Sequence, residues 1–162
     1  MKDAGEPTGG TARETPLKPL RQSLPACLMR AREAVMARVR PTLRAHDMTE
    51  PQWRVLRTLA DIEEIEITRL SDMVFLLPSS LSRILRDLGE RGLVQRRTAE
   101  NDLRRGLISI SDKGRELIRG AAPSTTATNA EIERLYGAER MGELLRLLVE
   151  LEDTLGAAQP SE

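Results

Sequence analysis

Residues 78–110 constrain the fold of this chain more strongly than any other stretch. Four aliphatic residues recur at i, i+3, i+4 and i+7, the spacing that places side chains on one face of an α-helix. They are Leu81, Ile84, Leu85 and Leu88. The opposite face carries the hydroxyl and charged side chains of Ser79, Ser80, Ser82, Arg83, Arg86 and Glu90. The segment therefore predicts an amphipathic helix whose polar face is available to another molecule.

The sequence also marks the ends of this helix and a β-hairpin after it. Pro78 suits the first helical turn, where its missing N–H costs nothing, and Gly92 suits the residue that closes the last turn. Two extended runs follow, over residues 93–97 and 107–110. Residues 98–105 between them have the polar composition of a hairpin tip. The predicted unit is helix, strand, basic tip, strand.

Arginine is concentrated in this unit. Residues 79–105 contain seven basic residues, all arginine, and four acidic ones, a difference of 7 − 4 = +3 in a chain whose net charge is zero. The planar guanidinium binds phosphate groups and guanine edges through paired hydrogen bonds. A bundle helix with a solvated face would show the same apolar stripe, but a local basic patch on a neutral protein favours a surface that binds a polyanion.

The composition favours duplex DNA over single-stranded nucleic acid as the bound polyanion. Aromatic residues make up 2% of the chain, too few for the stacking platforms that hold single-stranded nucleic acid. With a single cysteine, no signal peptide and no long apolar run, the chain is expected to be soluble and cytoplasmic. One histidine, no glycine-rich phosphate loop and no metal-ligand spacing argue against an enzyme, a metal site or a cofactor.

Two segments precede the DNA-binding unit. Residues 1–22 are rich in proline and glycine with little apolar content, so we expect a disordered arm. Residues 23–47 show helical spacing of apolar residues and a basic character, and Pro41 is expected to kink or interrupt this helix.

A helix-turn-helix is predicted next. Thr49 and Gln52 have the spacing of a capping box at the start of a helix. A transition over residues 62–67 leads to a short helix over residues 68–74. Together with the helix that starts at Pro78, this short helix forms a helix-turn-helix of the DNA-binding kind.

The C-terminal part predicts two more helices. Ser111 caps the first, which is expected to run towards Tyr136 with a bend near Pro123. The second has a wide apolar face made of Met141, Leu144, Leu145, Leu147, Leu148, Leu151 and Leu155. This face either packs on its own domain or forms a dimer interface. We favour the dimer, because a helix-turn-helix usually binds two half-sites about one helical turn apart.

The order of these elements resembles the MarR family of winged helix-turn-helix repressors over about residues 24–155. Three motifs carry the resemblance. They are Leu-Pro-Ser-Ser-Leu-Ser-Arg-Ile-Leu (77–85), Glu-Arg-Gly-Leu-Val (90–94) and Asp-Leu-Arg (102–104), which matches the family's Asp-x-Arg signature. The resemblance implies a homodimeric repressor that binds a pseudo-palindromic duplex operator.

The implied fold is mainly α with a small β-wing. A winged helix-turn-helix lobe (48–111) would lie between an N-terminal dimerisation helix (23–47) and C-terminal dimerisation helices (112–156), with a tail over residues 157–162. The residues implied to bind DNA are Ser79, Ser80, Ser82, Arg83, Arg86, Arg96, Arg97, Asp102, Arg104 and Arg105.

Their roles differ. The helix residues would enter the major groove, with Arg83 or Arg86 on a guanine. In the family the wing arginine, here Arg104, reaches the minor groove, and Asp102 holds the wing by ion pairing. Arg96, Arg97 and Arg105 would contact phosphates.

A narrower resemblance, over residues 30–36, 40–41 and 49–55, is to a family member that controls aromatic-acid degradation, and it implies a small aromatic acid effector. The candidate effector-binding residues are Met29, Arg32, Met36, His46, Trp53 and Leu56. Arg32 would supply the cation for a carboxylate. The ordinary alternatives are an ion pair for Arg32, core packing for the methionines and Trp53, and a helix-end position for His46.

Two other functions remain open. Cys27 lies roughly where organic-peroxide sensors of the family keep a reactive cysteine, although the paired tyrosines of such sensors are missing, since Tyr136 is the single tyrosine. The winged helix could also serve as a protein-interaction scaffold. Dependence of binding on salt and on duplex sequence separates that scaffold from a DNA-binding protein.

Overall fold

The computed structural model describes residues 19–99 and 102–157, with the backbone alone at residues 99 and 102–105. Most of the predicted arm and tail therefore lies outside the described residues. The described helices are α1 (Leu24–Arg44), α2 (Glu50–Ala60), α3 (Ile67–Met73), α4 (Pro78–Glu90), α5 (Asp112–Tyr136) and α6 (Ala138–Ala157). The described strands are β1 (Ile65–Glu66), β2 (Val94–Ala99) and β3 (Asp102–Ile110). The predicted fold class, mainly α with a small β-wing, is confirmed.

The chain divides into two compact units between Ala34 and Val35, within α1. The first unit includes a 3-10 turn, Leu20–Gln22, in a stretch assigned to the arm. Here the Cys27 thiol donates a hydrogen bond to the backbone carbonyl of Arg21 over 3.1 Å, and the Arg30 guanidinium donates to the same carbonyl over 3.2 Å.

The second unit has an aliphatic core, as the low aromatic content indicates. Its largest fully buried side chains are Leu43, Val55, Leu56, Leu59, Leu70, Val74, Leu81, Leu88, Leu93 and Ile108. These residues come from the end of α1, from α2, α3 and α4, from β3, and from two positions just outside these elements, Val74 after α3 and Leu93 before β2. The core therefore fixes α4 and the wing on one scaffold.

The wing is a three-stranded antiparallel sheet in the order β1-β3-β2. The sequence did not predict β1, because a strand of two residues shows no alternation that could reveal it. Ile65 pairs with Ile108 across this edge. The strands also extend further into the polar tip than expected, to Ala99 and from Asp102. Main-chain pairing with the facing strand, rather than side-chain character, continues the ladder there.

The prolines inside the long helices do not end them. α1 continues through Pro41 to Arg44, so Pro41 does not interrupt the helix, and the kink that was expected as the alternative stays a prediction. Pro41 lies in the last turn, where it removes a single helical hydrogen bond close to the natural end. α5 likewise continues through Pro123.

Gly114 is required where α5 begins. A Cβ atom at this position would lie 2.3 Å from the backbone oxygen of Leu93 and 2.7 Å from Cγ1 of Ile110. The same carbonyl accepts the backbone N–H of Ser111 over 3.0 Å, so it cannot move without breaking this contact. We expect Gly114→Ala to lower the free energy of unfolding by about 2 kcal/mol or more, measured by urea denaturation.

Gly120 is the matched control in the same helix, because a Cβ atom added at this position would have no neighbour within 4 Å. Gly120→Ala should leave stability unchanged or raise it by up to about 1 kcal/mol through helix propensity. Equal stability of the two variants would contradict the close approach at Gly114.

Candidate nucleic-acid interface

α4 has the two faces that the sequence predicts. Leu81, Leu85 and Leu88 are buried in the core, and Pro78 occupies the first turn after Leu77. The side chains of the opposite face are exposed. The helix is therefore fixed along its apolar side and presents its polar side to solvent.

Side chains of α2 hold α4 and the turn before it. The capping box at Thr49 forms as predicted, and Gln52, which completes it, also donates from Nε2 to Asp87 Oδ2 of α4 over 2.5 Å. Arg54 donates from Nη1 to the carbonyl of Val74 in the turn between α3 and α4 over 2.8 Å. These bonds fix the orientation of α4 beyond what apolar packing supplies.

The exposed face of α4 carries unengaged polar groups. Within the described part of the chain, no hydrogen bond or ion pair involves the side chains of Ser79, Ser80, Ser82, Arg83, Arg86 and Arg96. Open depressions lie on both sides of the helix, and Arg83 and Arg86 line both of them. An exposed guanidinium without an acidic partner keeps its five N–H donors for phosphate or base edges.

Arg97, unlike Arg96, has an acidic partner within the described part of the chain. Its Nε donates to Glu64 Oε1 over 2.6 Å and its Nη2 contacts Glu64 Oε2. Glu64 directly precedes β1, so this pairing links the two outer strands of the sheet across β3. The side chains of Asp102, Arg104 and Arg105 lie outside the described residues, and their predicted roles stay predictions.

Comparison with known proteins decides the family. A model of the MarR family matches residues 48–105. The chain is 35% identical over 131 residues to the homoprotocatechuate degradative operon repressor of Escherichia coli, covering 81% of this chain and 88% of that protein. The chain belongs to the MarR family.

Solved structures agree with this assignment. This MarR protein superposes on transcriptional regulator PA4135 with a TM-score of 0.81 at 34% identity, covering 86% of this chain and 100% of the other. It superposes on NadR, solved in complex with 4-hydroxyphenylacetate, with a TM-score of 0.72 at 33% identity, covering 84% and 96%. The resemblance inferred from the sequence motifs is confirmed.

The family assignment gives the general function. As a MarR protein the chain is a DNA-binding transcriptional regulator that acts as a dimer. Its relatives are regulators rather than enzymes. No described helix is long and apolar enough to cross a membrane, and no three metal-ligating side chains cluster among the described residues.

The six candidate effector residues occupy different environments. In the first unit, Met29 is exposed and Arg32 is paired with Glu33 at 2.8 Å. In the second unit, His46 lies 3.3 Å from the Ser124 hydroxyl. Met36 is half-buried, Trp53 packs against the core, and Leu56 is fully buried within it. Leu56 therefore packs the scaffold of this MarR protein and could meet a ligand only if the core opened.

The sequence did not single out another concave site in the second unit. Arg40 and Arg44 line a depression of about 320 Å³ together with Leu43, Met48 and Pro51. This volume lies at the lower end of the range for small-molecule pockets. Arg40 also contacts Glu50 at 3.7 Å. The site offers a cation beside apolar surface, the pair of features that an aryl carboxylate needs.

Proposed function

We propose that this regulator represses an operon for the degradation of an aromatic acid, in the cytoplasm, and that the acid releases it from the operator. The observation that carries the DNA-binding part is the exposed face of α4, whose serines and arginines have no partners among the described residues. The names of two relatives at 33–35% identity support the effector class, since one concerns homoprotocatechuate degradation and the other 4-hydroxyphenylacetate.

On the DNA, α4 enters the major groove with its N-terminal half towards the bases. Arg83 or Arg86 takes a guanine O6 and N7, and the serines contact phosphates or adapt to several bases. Arg96 and Arg105 contact phosphates, and Arg104 enters the minor groove beside Asp102. Selection of tight-binding duplexes from a randomised library by the wild-type protein tests sequence specificity and supplies a reference ligand, called here the selected duplex. Enrichment of no sequence would contradict the proposal.

The structure changes the expectation for Arg97. Because Glu64 holds this guanidinium, we propose that Arg97 positions the wing instead of contacting a phosphate. Glu64→Gln and Arg97→Ala should each weaken binding to the selected duplex by roughly fivefold or less, without changing the salt dependence. Arg96→Ala should reduce the slope of log affinity against log salt by about 2 per dimer, because two phosphate contacts disappear.

Fluorescence anisotropy titrations at four salt concentrations distinguish these cases. The control is the double variant Glu64→Arg with Arg97→Glu, which restores the ion pair in the opposite order. It should bind the selected duplex more tightly than either single variant does. Tighter binding by Glu64→Gln, or a slope change for Arg97→Ala equal to that for Arg96→Ala, would show that Arg97 contacts the DNA backbone.

The effector prediction is tested by stability and by DNA release together. 4-Hydroxyphenylacetate should stabilise the folded protein by RT ln(1 + [L]/Kd) per binding site, which raises the melting temperature as ligand is added, and it should release the selected duplex. Phenylacetate tests the ring hydroxyl, and 4-hydroxybenzyl alcohol, which lacks the carboxylate, should have little effect. No melting shift and no release with hydroxyphenylacetates, hydroxycinnamates or benzoates would contradict an aromatic acid effector.

Two arginine variants locate the effector carboxylate. If Arg32→Ala loses the rise in melting temperature with ligand, Arg32 binds the carboxylate, as the sequence predicts. If Arg44→Ala loses it, the ligand binds in the depression lined by Arg40 and Arg44. Arg119→Ala, an exposed position on α5, is the matched control and should keep the full shift. Cys27 is not proposed as a redox sensor, because its thiol already donates to the carbonyl of Arg21 and no paired tyrosines accompany it.

A further inference from the structure

An exposed apolar cluster lies directly before α4. Phe75, in the turn between α3 and α4, is 79% exposed, and Leu77, which caps α4, is 72% exposed. Met73 at the end of α3 is also exposed. Phe75 is the single phenylalanine of a chain with very few aromatic residues. A phenylalanine side chain is usually buried, and a group of exposed apolar side chains often marks a surface that binds another molecule.

The backbone at Phe75 is strained. Its φ angle is +50°, a left-handed conformation that glycine and asparagine adopt readily and bulky residues rarely do. A strained backbone conformation persists only where neighbouring contacts hold it, and such conformations are concentrated at functional sites.

Four hydrogen bonds impose this conformation. The N–H groups of Phe75 and Leu76 donate to the carbonyls of Asp72 over 3.2 Å and Ser71 over 3.1 Å. The Ser71 hydroxyl donates to the Leu76 carbonyl over 2.6 Å, and Arg54 binds the carbonyl of Val74. The turn is therefore held with the Phe75 side chain outside the core, three residues before α4 begins.

We propose that Phe75 contacts the C5 methyl group of a thymine in each half-site and so contributes to operator specificity. The proposal rests on the proposed binding of duplex DNA by α4. The N-terminal residues of a recognition helix are the ones that meet base edges, and Phe75 lies three residues before Pro78, the first residue of that helix. The thymine methyl is the apolar group that the major groove presents, and phenylalanine is one of its ordinary partners.

The experiment removes the methyl group and nothing else. Each thymine of the selected duplex is replaced in turn by uracil, which keeps Watson–Crick pairing. For the wild-type protein, one thymine per half-site should be sensitive, with a loss of about fourfold for one methyl and about fifteenfold when both half-sites are changed. Phe75→Asn should bind the thymine duplex about as weakly as the wild type binds the doubly substituted one, and should lose nothing further with uracil.

The choice of variants keeps folding separate from recognition. Asparagine tolerates a positive φ, so Phe75→Asn should melt no lower than the wild type. Phe75→Leu, which keeps an apolar side chain, should retain most of the uracil sensitivity. Equal uracil sensitivity in wild type and Phe75→Asn would overturn the proposal, and so would wild-type binding that no uracil weakens.

Failure of this inference can be told apart from failure of the proposed function. If the wild-type protein enriches no duplex at all, DNA binding by α4 itself is contradicted. If it enriches one but Phe75 proves irrelevant to uracil substitution, this inference alone fails. A change of oligomeric state in Phe75→Asn, measured by sedimentation, would show that the cluster contacts a second protein copy and would likewise overturn it.

Discussion

Replacing whichever of Arg83 and Arg86 contacts guanine by alanine is expected to weaken binding to the selected duplex strongly while the protein stays folded and dimeric. Both side chains are exposed, and neither has a partner within the described residues. A bidentate contact with guanine contributes roughly 1–3 kcal/mol, and each dimer makes the contact twice. The alanine variant of the arginine that contacts guanine should therefore bind the selected duplex between about 30-fold and more than 10,000-fold more weakly than the wild type, measured by anisotropy titration.

Lysine variants separate charge from geometry. Arg→Lys at the same position keeps the positive charge but loses the planar fork, so phosphate attraction survives and the preference for guanine does not. Arg119→Ala on α5, also exposed, is the control and should bind as the wild type does. Wild-type affinity in both Arg83→Ala and Arg86→Ala would remove α4 from the interface.

A second large effect is expected from charges on the apolar face of α6. None of the residues of α6 is buried within one chain, and Leu145 and Val149, one helical turn apart, are each 56% exposed. Because regulators of this family are dimers, we propose that this apolar face of α6 is part of the subunit interface. The double variant Leu145→Glu with Val149→Glu should dissociate the dimer, because burial of each such side chain contributes about 1.5–3 kcal/mol and the symmetry doubles the loss.

Sedimentation equilibrium at micromolar concentration measures this dissociation, and circular dichroism verifies that the helices remain. Binding to the selected duplex should fall to the level of a random sequence, since one monomer contacts a single half-site. Arg146→Ala on the same helix replaces an exposed side chain and should remain dimeric. A stable dimer in the double variant would place the interface elsewhere.

Local patterns predicted most of the α-helical structure and the polar face of α4. The capping box at Thr49, the proline that opens α4 and the aliphatic spacing within it are encoded by neighbouring residues, so a single sequence reveals them. β1 was missed because it exists through pairing with β3, more than 40 residues later in the chain. Of the kink or interruption expected at Pro41, the interruption does not occur, because a proline near a helix end costs little stability.

The site was less predictable than the fold, because its contacts join residues that are far apart in the sequence. Glu64 and Arg97 are 33 residues apart, and nothing in either local pattern shows that they meet. The strained turn at Phe75 depends on Arg54, 21 positions earlier, whose guanidinium reaches the neighbouring carbonyl of Val74. The sequence did offer one signal for this turn, because its single phenylalanine lies between the two helices of the predicted helix-turn-helix, in a chain with few aromatic residues.

Specific binding by this dimer requires two copies of α4 to lie in successive major grooves of one duplex. Methylation interference with dimethyl sulfate tests this most directly, because the reagent marks guanine N7 in the major groove and adenine N3 in the minor groove. We predict two clusters of interfering guanines on one face of the selected duplex, about one helical turn apart, with interfering adenines beside them where the wings lie. A single cluster, or interference confined to the minor groove, would contradict the account.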